Sequence, residues 1–185
     1  MSQRDSAAED WREYSQLEQL INHWDRPGWT PTRHSYHWLI ALDDPALQRL
    51  VERCQAGLGD LPMLDLVPLS SLHVTLERVG FADELTEDEA CVTAGMTTEL
   101  CRETARLRGG EERSQELPSR FIPHVSIAYC GAVGPAQPVI ARVGPLRELG
   151  SVEVPVVAMQ LVDMWREGRA YQWRELAAVA LGEST

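Results

Sequence analysis

A short pattern of alternating side chains occurs twice in this chain and constrains its fold more than any other feature. The two copies are LHVTL at residues 72–76 and PHVSI at residues 123–127. Each contains a histidine, an aliphatic residue, a hydroxyl residue and a second aliphatic residue, in that order. Because successive side chains of a strand point to opposite faces of a sheet, the alternation predicts two strands with buried aliphatic side chains. Each strand would present an imidazole beside a hydroxyl on its other face.

The rest of the chain mixes predicted strands and helices. Strands are predicted over 33–42, 72–79 and 121–130, and the stretches 151–165 and 170–182 predict a closing hairpin. Helical spacing predicts helices over 6–24, 46–58, 86–107 and about 138–148. This mixture predicts an α+β fold with a largely antiparallel sheet. The 185 residues are expected to form one domain, with 1–32 as an N-terminal helix and loop extension.

Two of the predicted helices carry start signals. Asp44 precedes Pro45, which predicts an N-cap followed by proline in the first turn. Thr86 and Glu89 have the spacing of a capping box. Gly57 is expected to end the first of these helices.

Composition excludes several classes of function. The formal net charge is −11, so the surface as a whole repels a polyphosphate, although a small phosphate ligand could still bind a local basic site. All 17 basic residues are arginine, which excludes a Schiff-base lysine and a phosphate-loop lysine. No apolar run has the length of a membrane span, and the first residues lack the apolar segment of a secretory signal. A cytoplasmic protein with reduced, mostly buried thiols is therefore expected, its cysteines being Cys54, Cys91, Cys101 and Cys130.

The repeated histidine pattern predicts acid–base chemistry on a phosphodiester. In-line cleavage needs a base at the attacking oxygen and an acid at the leaving oxygen, and His73 and His124 can supply both near neutral pH. Thr75 and Ser126 can donate hydrogen bonds to the non-bridging phosphate oxygens. Such a site requires no metal and no cofactor. The alternative is that both histidines are structural residues bonded to neighbouring backbone.

These residues resemble the motifs of the 2H phosphoesterases, in particular the bacterial 2′-5′ RNA ligase and cyclic phosphodiesterase branch. HVTLERVG at 73–80 is similar to the first motif of that family, and PHVSIAY at 123–129 to the second. The flanking segments 26–38 and 170–182 look like those of actinobacterial members. The resemblance implies a bilobal fold of antiparallel sheets with flanking helices. It also implies hydrolysis of 2′,3′-cyclic phosphates or 2′-5′ linkages, with a small nucleotide or RNA end as partner and no membrane.

The chain departs from that family in two places. Tyr129 stands where many members have an arginine, and Arg78 has the opposite strand parity from His73. Only residues 81–120 separate the motifs, which leaves room for one helix and a loop. This shortened middle segment predicts an incomplete lobe around His73. Either a homodimer partner or the N-terminal helix would complete it.

Several further residues are candidates for substrate binding. Tyr36 and Trp38 share one strand face, and Tyr171 and Trp173 share another. Each pair could stack on a base or pack a core, and the core is the more common role. Tyr129 and Arg78 complete this set. The competing functional class is a module that binds a nucleotide or RNA end without turnover.

Overall fold

The computed structural model describes residues 3–93, 95 and 123–181. The helices are α1 (Gln3–Tyr14), α2 (Pro45–Ala56), α3 (described over 87–93) and α4 (Gln137–Leu146), with a 3₁₀ turn at Leu69–Ser71. The strands are β1 (Gln19–Leu20), β2 (Ser35–Ala41), β3 (Leu64–Leu66), β4 (His73–Phe81), β5 (Ala128–Cys130), β6 (Gly134–Pro135), β7 (Ala158–Glu167) and β8 (Ala170–Ala180). Every strand pairing among them is antiparallel, which confirms the α+β class with antiparallel sheets. No helix within these residues is long and apolar enough to cross a membrane.

The chain divides into two compact units, each built from three separate segments. The first comprises Met1–Trp29, Asp43–Leu72 and Ser126–Val154. The second comprises Thr30–Leu42, His73–Val125 and Pro155–Thr185. The stretch expected to be an N-terminal extension therefore contributes α1 and β1 to the first unit.

The second unit is a four-stranded sheet with the strand order β4-β2-β7-β8. One face, which we call the helix face, packs Tyr36, Trp38 and Leu161 against Ala90 of α3. The other face, which we call the histidine face, has Leu39, Val162 and Met164 at its centre. Leu39 and Val162 are both fully buried, so the central strands have apolar cover on this face. The rest of this face carries the candidate site.

The predicted closing hairpin is confirmed as β7 and β8. Pairing runs from Ala158 opposite Ala180 to Glu167 opposite Ala170. The chain reverses at Gly168, whose φ of 60° lies in the left-handed region that favours glycine. The Nε of Arg166 donates a hydrogen bond of 2.9 Å to the Gly168 carbonyl, which braces the turn.

The first unit contains α2, α4 and two small sheets, β1–β6 and β3–β5. The Asp44 carboxylate caps α2 as predicted, because its Oδ1 accepts from the amides of Ala46 (2.8 Å) and Leu47 (2.9 Å). Trp24 is buried and donates its indole N–H to Asp65 over 2.8 Å. That bond joins the N-terminal segment to β3.

The predicted helix over 6–24 is wrong beyond Tyr14. After α1, Gln16 and Leu17 make turn bonds to carbonyls three residues back, and the chain then pairs as β1 with β6. Leu17 is 41% exposed and Ile21 is 79% exposed, so these two apolar residues do not lie on the buried face of a helix. Long-range strand pairing overrides the local periodicity here.

The capping box of α3 is confirmed. The Glu89 amide donates to Thr86 Oγ1 over 3.2 Å, and Thr86 N–H donates back to Glu89 Oε2 over 2.8 Å. These two backbone hydrogen bonds satisfy N–H groups that a helix start leaves open. The expected continuation to about residue 107 and the polar loop after it lie outside the described residues, as does Cys101.

The strand predicted over 121–130 is much shorter in the structure. Only Ala128–Cys130 is a strand, paired with β3, while 123–126 have no regular structure. The ladder stops at Ile127, whose carbonyl accepts from Val67 N–H (3.0 Å) and from the Gln55 side-chain amide (2.9 Å). Pro123 has no N–H to donate to a ladder. Residues 121–122 lie outside the described part.

Candidate active site

The first histidine motif begins β4, and its His73 and Thr75 lie on the histidine face of the second unit. His73 is paired with Ala41, and Thr75 is paired with Leu39 of that face. Residues paired directly across two strands point to the same side of a sheet. The imidazole and the hydroxyl therefore lie on one face, and both residues are half-buried. Leu76 packs on the opposite, helix face, as the alternation predicts.

Arg78 joins His73 and Thr75 on the histidine face, which corrects the parity argument from the sequence. The pairing of β4 with β2 shifts between Trp38 and Leu39, so that strict alternation is interrupted after Thr75. As a result Arg78 pairs with His37, two residues from Leu39 on β2. A bulge of this kind inserts one residue on one strand and re-aims the side chains beyond it.

His37 is a buried imidazole at the centre of the same face. It is 7% exposed and lies on β2 between Arg78 on β4 and Val162 on β7. Burial first, and then the nearby positive charges of Arg78 and His73, together lower the pKa of His37 to about 4. His37 is therefore neutral at pH 7. The sequence pattern around His37 gave no indication that it would lie on the same face as His73.

Two aromatic residues of β8 complete the histidine face. Tyr171 and Trp173 both pack against the cluster of Leu39, Val162 and Met164, which confirms that they share a face. The Trp173 ring meets the His73 ring in a T-shaped contact, with centroids 5.2 Å apart and an interplanar angle of 66°. One hundred residues separate these two in sequence, and no local pattern signals their contact.

The second motif has a different setting from the first. His124 is exposed and Ser126 is half-buried, and both lie in the irregular segment 123–126. The strand argument that placed them on one face therefore does not apply to this copy. His124 belongs to the second unit and Ser126 to the first.

Three aromatic candidates for substrate binding are core residues. Tyr36 is 6% exposed and Trp38 is 5% exposed, and both lie on the helix face with Ala90. Tyr129 is 8% exposed and stacks on His23 in the first unit, with ring centroids 4.3 Å apart. The packing alternative considered for Tyr36 and Trp38 accounts for their positions, and the structure offers neither ring for stacking on a base. Tyr129 likewise serves the core.

Another histidine–tryptophan pair, stacked rather than T-shaped, lies away from the histidine face. Asp163 Oδ1 accepts a hydrogen bond of 2.8 Å from His34 Nδ1, and the His34 ring stacks on Trp165 with centroids 5.2 Å apart. Asp163 pairs with Tyr36, so it points to the helix face. Its other oxygen lies 3.7 Å from the Arg174 guanidinium. This pair matches the His73–Trp173 contact in ring distance but not in location.

Within the ranges 3–93, 95 and 123–181, no group of three or more His, Cys, Asp or Glu could hold a metal ion. The free cysteines there are Cys54, Cys91 and Cys130. Cys91 is exposed and Cys54 and Cys130 are half-buried, so the expectation of mostly buried thiols is wrong for the described cysteines.

Neither a protein-family model nor a curated protein matches this chain. Among solved structures, it is similar to E. coli LigT complexed with 3′-AMP, with 14% identity and a TM-score of 0.43 over 82% of this chain and 99% of that one. It is also similar to E. coli LigT in apo form, with 13% identity and a TM-score of 0.42 over the same shares. Similarity of this size identifies neither the fold nor the activity of the chain.

Proposed function

We propose that this protein is a metal-independent phosphodiesterase that hydrolyses 2′,3′-cyclic phosphates or 2′-5′ linkages in small nucleotides or RNA ends. His73 and His124 serve as the acid–base pair, and Thr75 and Ser126 hold the phosphate. The resemblance of both motifs to those of the 2H phosphoesterases suggests this class of substrate. The histidine face supplies the independent physical support.

One observation carries the proposal: His73, Thr75 and Arg78 share a face of β4, beside a histidine that stays neutral. A phosphodiester carries one negative charge, and the trigonal-bipyramidal transition state gathers more on its oxygens. A hydroxyl donor and a guanidinium placed together stabilise such charge. The neutral His37 adds no competing titration near pH 7.

Hydrolysis of a cyclic phosphate needs one proton removed and one supplied. One histidine takes a proton from water while the water oxygen forms a bond to phosphorus. The bond from phosphorus to one ribose oxygen breaks, and the other histidine donates a proton to that oxygen. The product is a phosphomonoester with a free neighbouring hydroxyl, and the two histidines have exchanged protonation states. Proton exchange with water then restores them.

The first prediction concerns the two histidines. His73→Ala and His124→Ala should each lower kcat on 2′,3′-cyclic AMP by about 10²–10⁴, because each removes one proton-transfer partner. The matched control is His34→Ala, which removes a histidine bonded to Asp163 toward the helix face. The double variant should lose less than the product of the single losses, since acid and base act as a unit.

Release of the phosphomonoester is measured in EDTA across a pH series. The rate should persist in EDTA and give a bell-shaped profile with both limbs in the histidine range. Wild-type rates in both single variants, or a rate that EDTA abolishes and one divalent metal restores, would refute the mechanism. Binding of the cyclic nucleotide without release would instead support a binding module, a role that the irregular setting of His124 also permits.

A further inference from the structure

We infer that Trp173 is a positioning residue that holds the His73 imidazole in the orientation needed for proton transfer. The inference rests on the proposed function of His73. Trp173 itself touches the His73 ring and the apolar centre of the histidine face. The role that we assign to it is exerted through His73.

The contact with Trp173 constrains the ring of His73, which the cross-strand neighbour of His73 does not do. His73 is the first residue of β4, and the residue paired with it on β2 is Ala41. An alanine side chain ends at Cβ, so this cross-strand neighbour cannot define the rotation of an imidazole. The indole ring of Trp173 does contact the imidazole, with ring centroids 5.2 Å apart and an interplanar angle of 66°.

The indole of Trp173 is itself held in place by packing. Trp173 pairs with Met164 on β7, and its side chain packs against the cluster formed by Met164, Leu39 and Val162. Two of those residues are fully buried. β2 and β7 lie between β4 and β8, so the two rings must reach toward each other over the intervening strands. A large ring packed on a rigid centre limits the rotation of a smaller ring that meets it edge to face.

Proton transfer depends strongly on that rotation. The χ2 torsion of histidine has a broad, roughly two-fold profile, so a free imidazole samples orientations that carry its nitrogens away from the reacting oxygen. A displacement of about 1 Å at a reacting group can cost about 10²-fold in rate. A smaller side chain at position 173 should therefore reduce kcat while leaving substrate binding largely intact.

The test compares Trp173→Leu and Trp173→Phe with Trp165→Leu. Trp165 is the matched control, because it meets His34 at the same ring distance on the same strand pair but not on the histidine face. On 2′,3′-cyclic AMP, Trp173→Leu should lower kcat about 10–100-fold with KM changed less than about threefold. Trp173→Phe keeps an aromatic ring and should lie between Trp173→Leu and the wild type. Trp165→Leu should retain kcat within about twofold.

Two further readouts separate positioning from general packing. Trp173→Leu should shift the NMR resonances of the His73 ring protons, which lie in the ring current of the indole, whereas Trp165→Leu should shift those of His34. In the His73→Ala background, adding Trp173→Leu should not lower the residual rate further, because the residue it positions is gone. A thermal melt of each variant checks that it is folded, and Trp173→Phe remains informative if Trp173→Leu is not.

The outcomes distinguish this inference from the proposed function. If His73→Ala removes activity while Trp173→Leu and Trp173→Phe keep the full kcat, the positioning role is wrong and the proposed function stands. Equal losses of kcat in Trp173→Leu and Trp165→Leu would also overturn the positioning role. If His73→Ala keeps the full rate, the proposed function itself fails.

Discussion

His37 shows how one residue can tie the stability of the sheet to pH. Its imidazole is buried on the histidine face with Arg78 opposite on β4 and His73 nearby, and its pKa is about 4. Above its ordinary pKa of 6.5 the group is neutral in both the folded and the unfolded chain. Between 6.5 and about 4 the unfolded chain binds a proton that the folded chain does not. The free energy of unfolding therefore falls as the pH decreases through that window.

The second prediction follows from this sign. Lowering the pH from about 7 to about 5 should cost the wild type about 2 kcal/mol of stability through His37 alone. His37→Phe keeps an aromatic ring at the site but has no proton to bind, so it should lack this part of the pH dependence. Urea unfolding of both proteins at the two pH values measures the difference. All other titrating groups are common to the pair, so identical pH slopes would show that His37 does not carry the effect.

Arg33 and Arg78 both lie near Phe81, but they have different partners and therefore different roles. The Arg33 guanidinium lies 3.4 Å from the centre of the Phe81 ring and binds Asp83 and Glu84 at 2.8 and 2.7 Å. The Arg78 guanidinium lies 4.7 Å from the same ring and is opposite His37 in the strand pairing. Arg33 thus belongs to a cluster of ion pairs, whereas Arg78 lies on the histidine face.

At the scale of elements, β4 is shaped by its irregular pairing with β2 and by its contact with the segment that leads into α3. Gly80 is paired with Tyr36 of the helix face, and its carbonyl accepts a hydrogen bond of 3.0 Å from Ser35 Oγ. A Cβ at Gly80 would overlap Leu85 Cδ1 and lie 3.3 Å from Leu85 Cγ. Leu85 packs against the helix-face core, so a shift of its side chain away from the added Cβ would disturb that packing.

The third prediction is that Gly80→Ala lowers the free energy of unfolding by about 1–3 kcal/mol through overpacking. Gly150→Ala is the control, since a Cβ there meets no heavy atom of the described residues within 4 Å. Adding Leu85→Ala to Gly80→Ala should cost less than the sum of the two single changes, because it removes the overlapping methyl group. Urea unfolding of all four variants measures this coupling, and strict additivity would place the cause elsewhere.

The sequence predicts elements well where local and long-range signals agree. α2 begins at its N-cap, α3 begins at its capping box, and β7 and β8 form the predicted hairpin. Strand alternation also places His73 and Thr75 together. These features depend on residues within a few positions of one another, which is the range over which capping and alternation act.

The failures come from interactions between distant segments. A bulge that depends on pairing with β2 moves Arg78 to the histidine face against its parity. Pairing of Gln19–Leu20 with Gly134–Pro135 ends a predicted helix early. The Gln55 side chain, more than seventy residues away, occupies the Ile127 carbonyl where the strand bearing His124 was expected to continue. The contact between Trp173 and His73 likewise joins two outer strands of one sheet. None of these four long-range interactions can be predicted from a local sequence pattern.

At the scale of the whole molecule, charge opposes the local chemistry of the histidine face. The chain carries 28 acidic and 17 basic residues, with a net charge of −11. A surface of this sign repels a long nucleic acid, and the repulsion grows with the number of phosphates that approach it. A mononucleotide presents a single phosphodiester to Arg78 and Thr75 and brings little additional charge. Net charge therefore favours short substrates for the proposed activity.

The fourth prediction concerns the length of the substrate. At low salt, kcat/KM for 2′,3′-cyclic AMP should exceed that for an RNA of about twenty nucleotides ending in the same cyclic phosphate, because long-range repulsion slows encounter with the longer chain. Raising the salt shortens the Debye length to about 8 Å at 0.15 M and should narrow the gap by accelerating the reaction of the RNA. The same RNA with the cyclic phosphate already opened is the matched competitor, and it should inhibit weakly at low salt. A clear preference for the long RNA at low salt, weakening as salt rises, would mean that a basic surface attracts the RNA backbone despite the net charge.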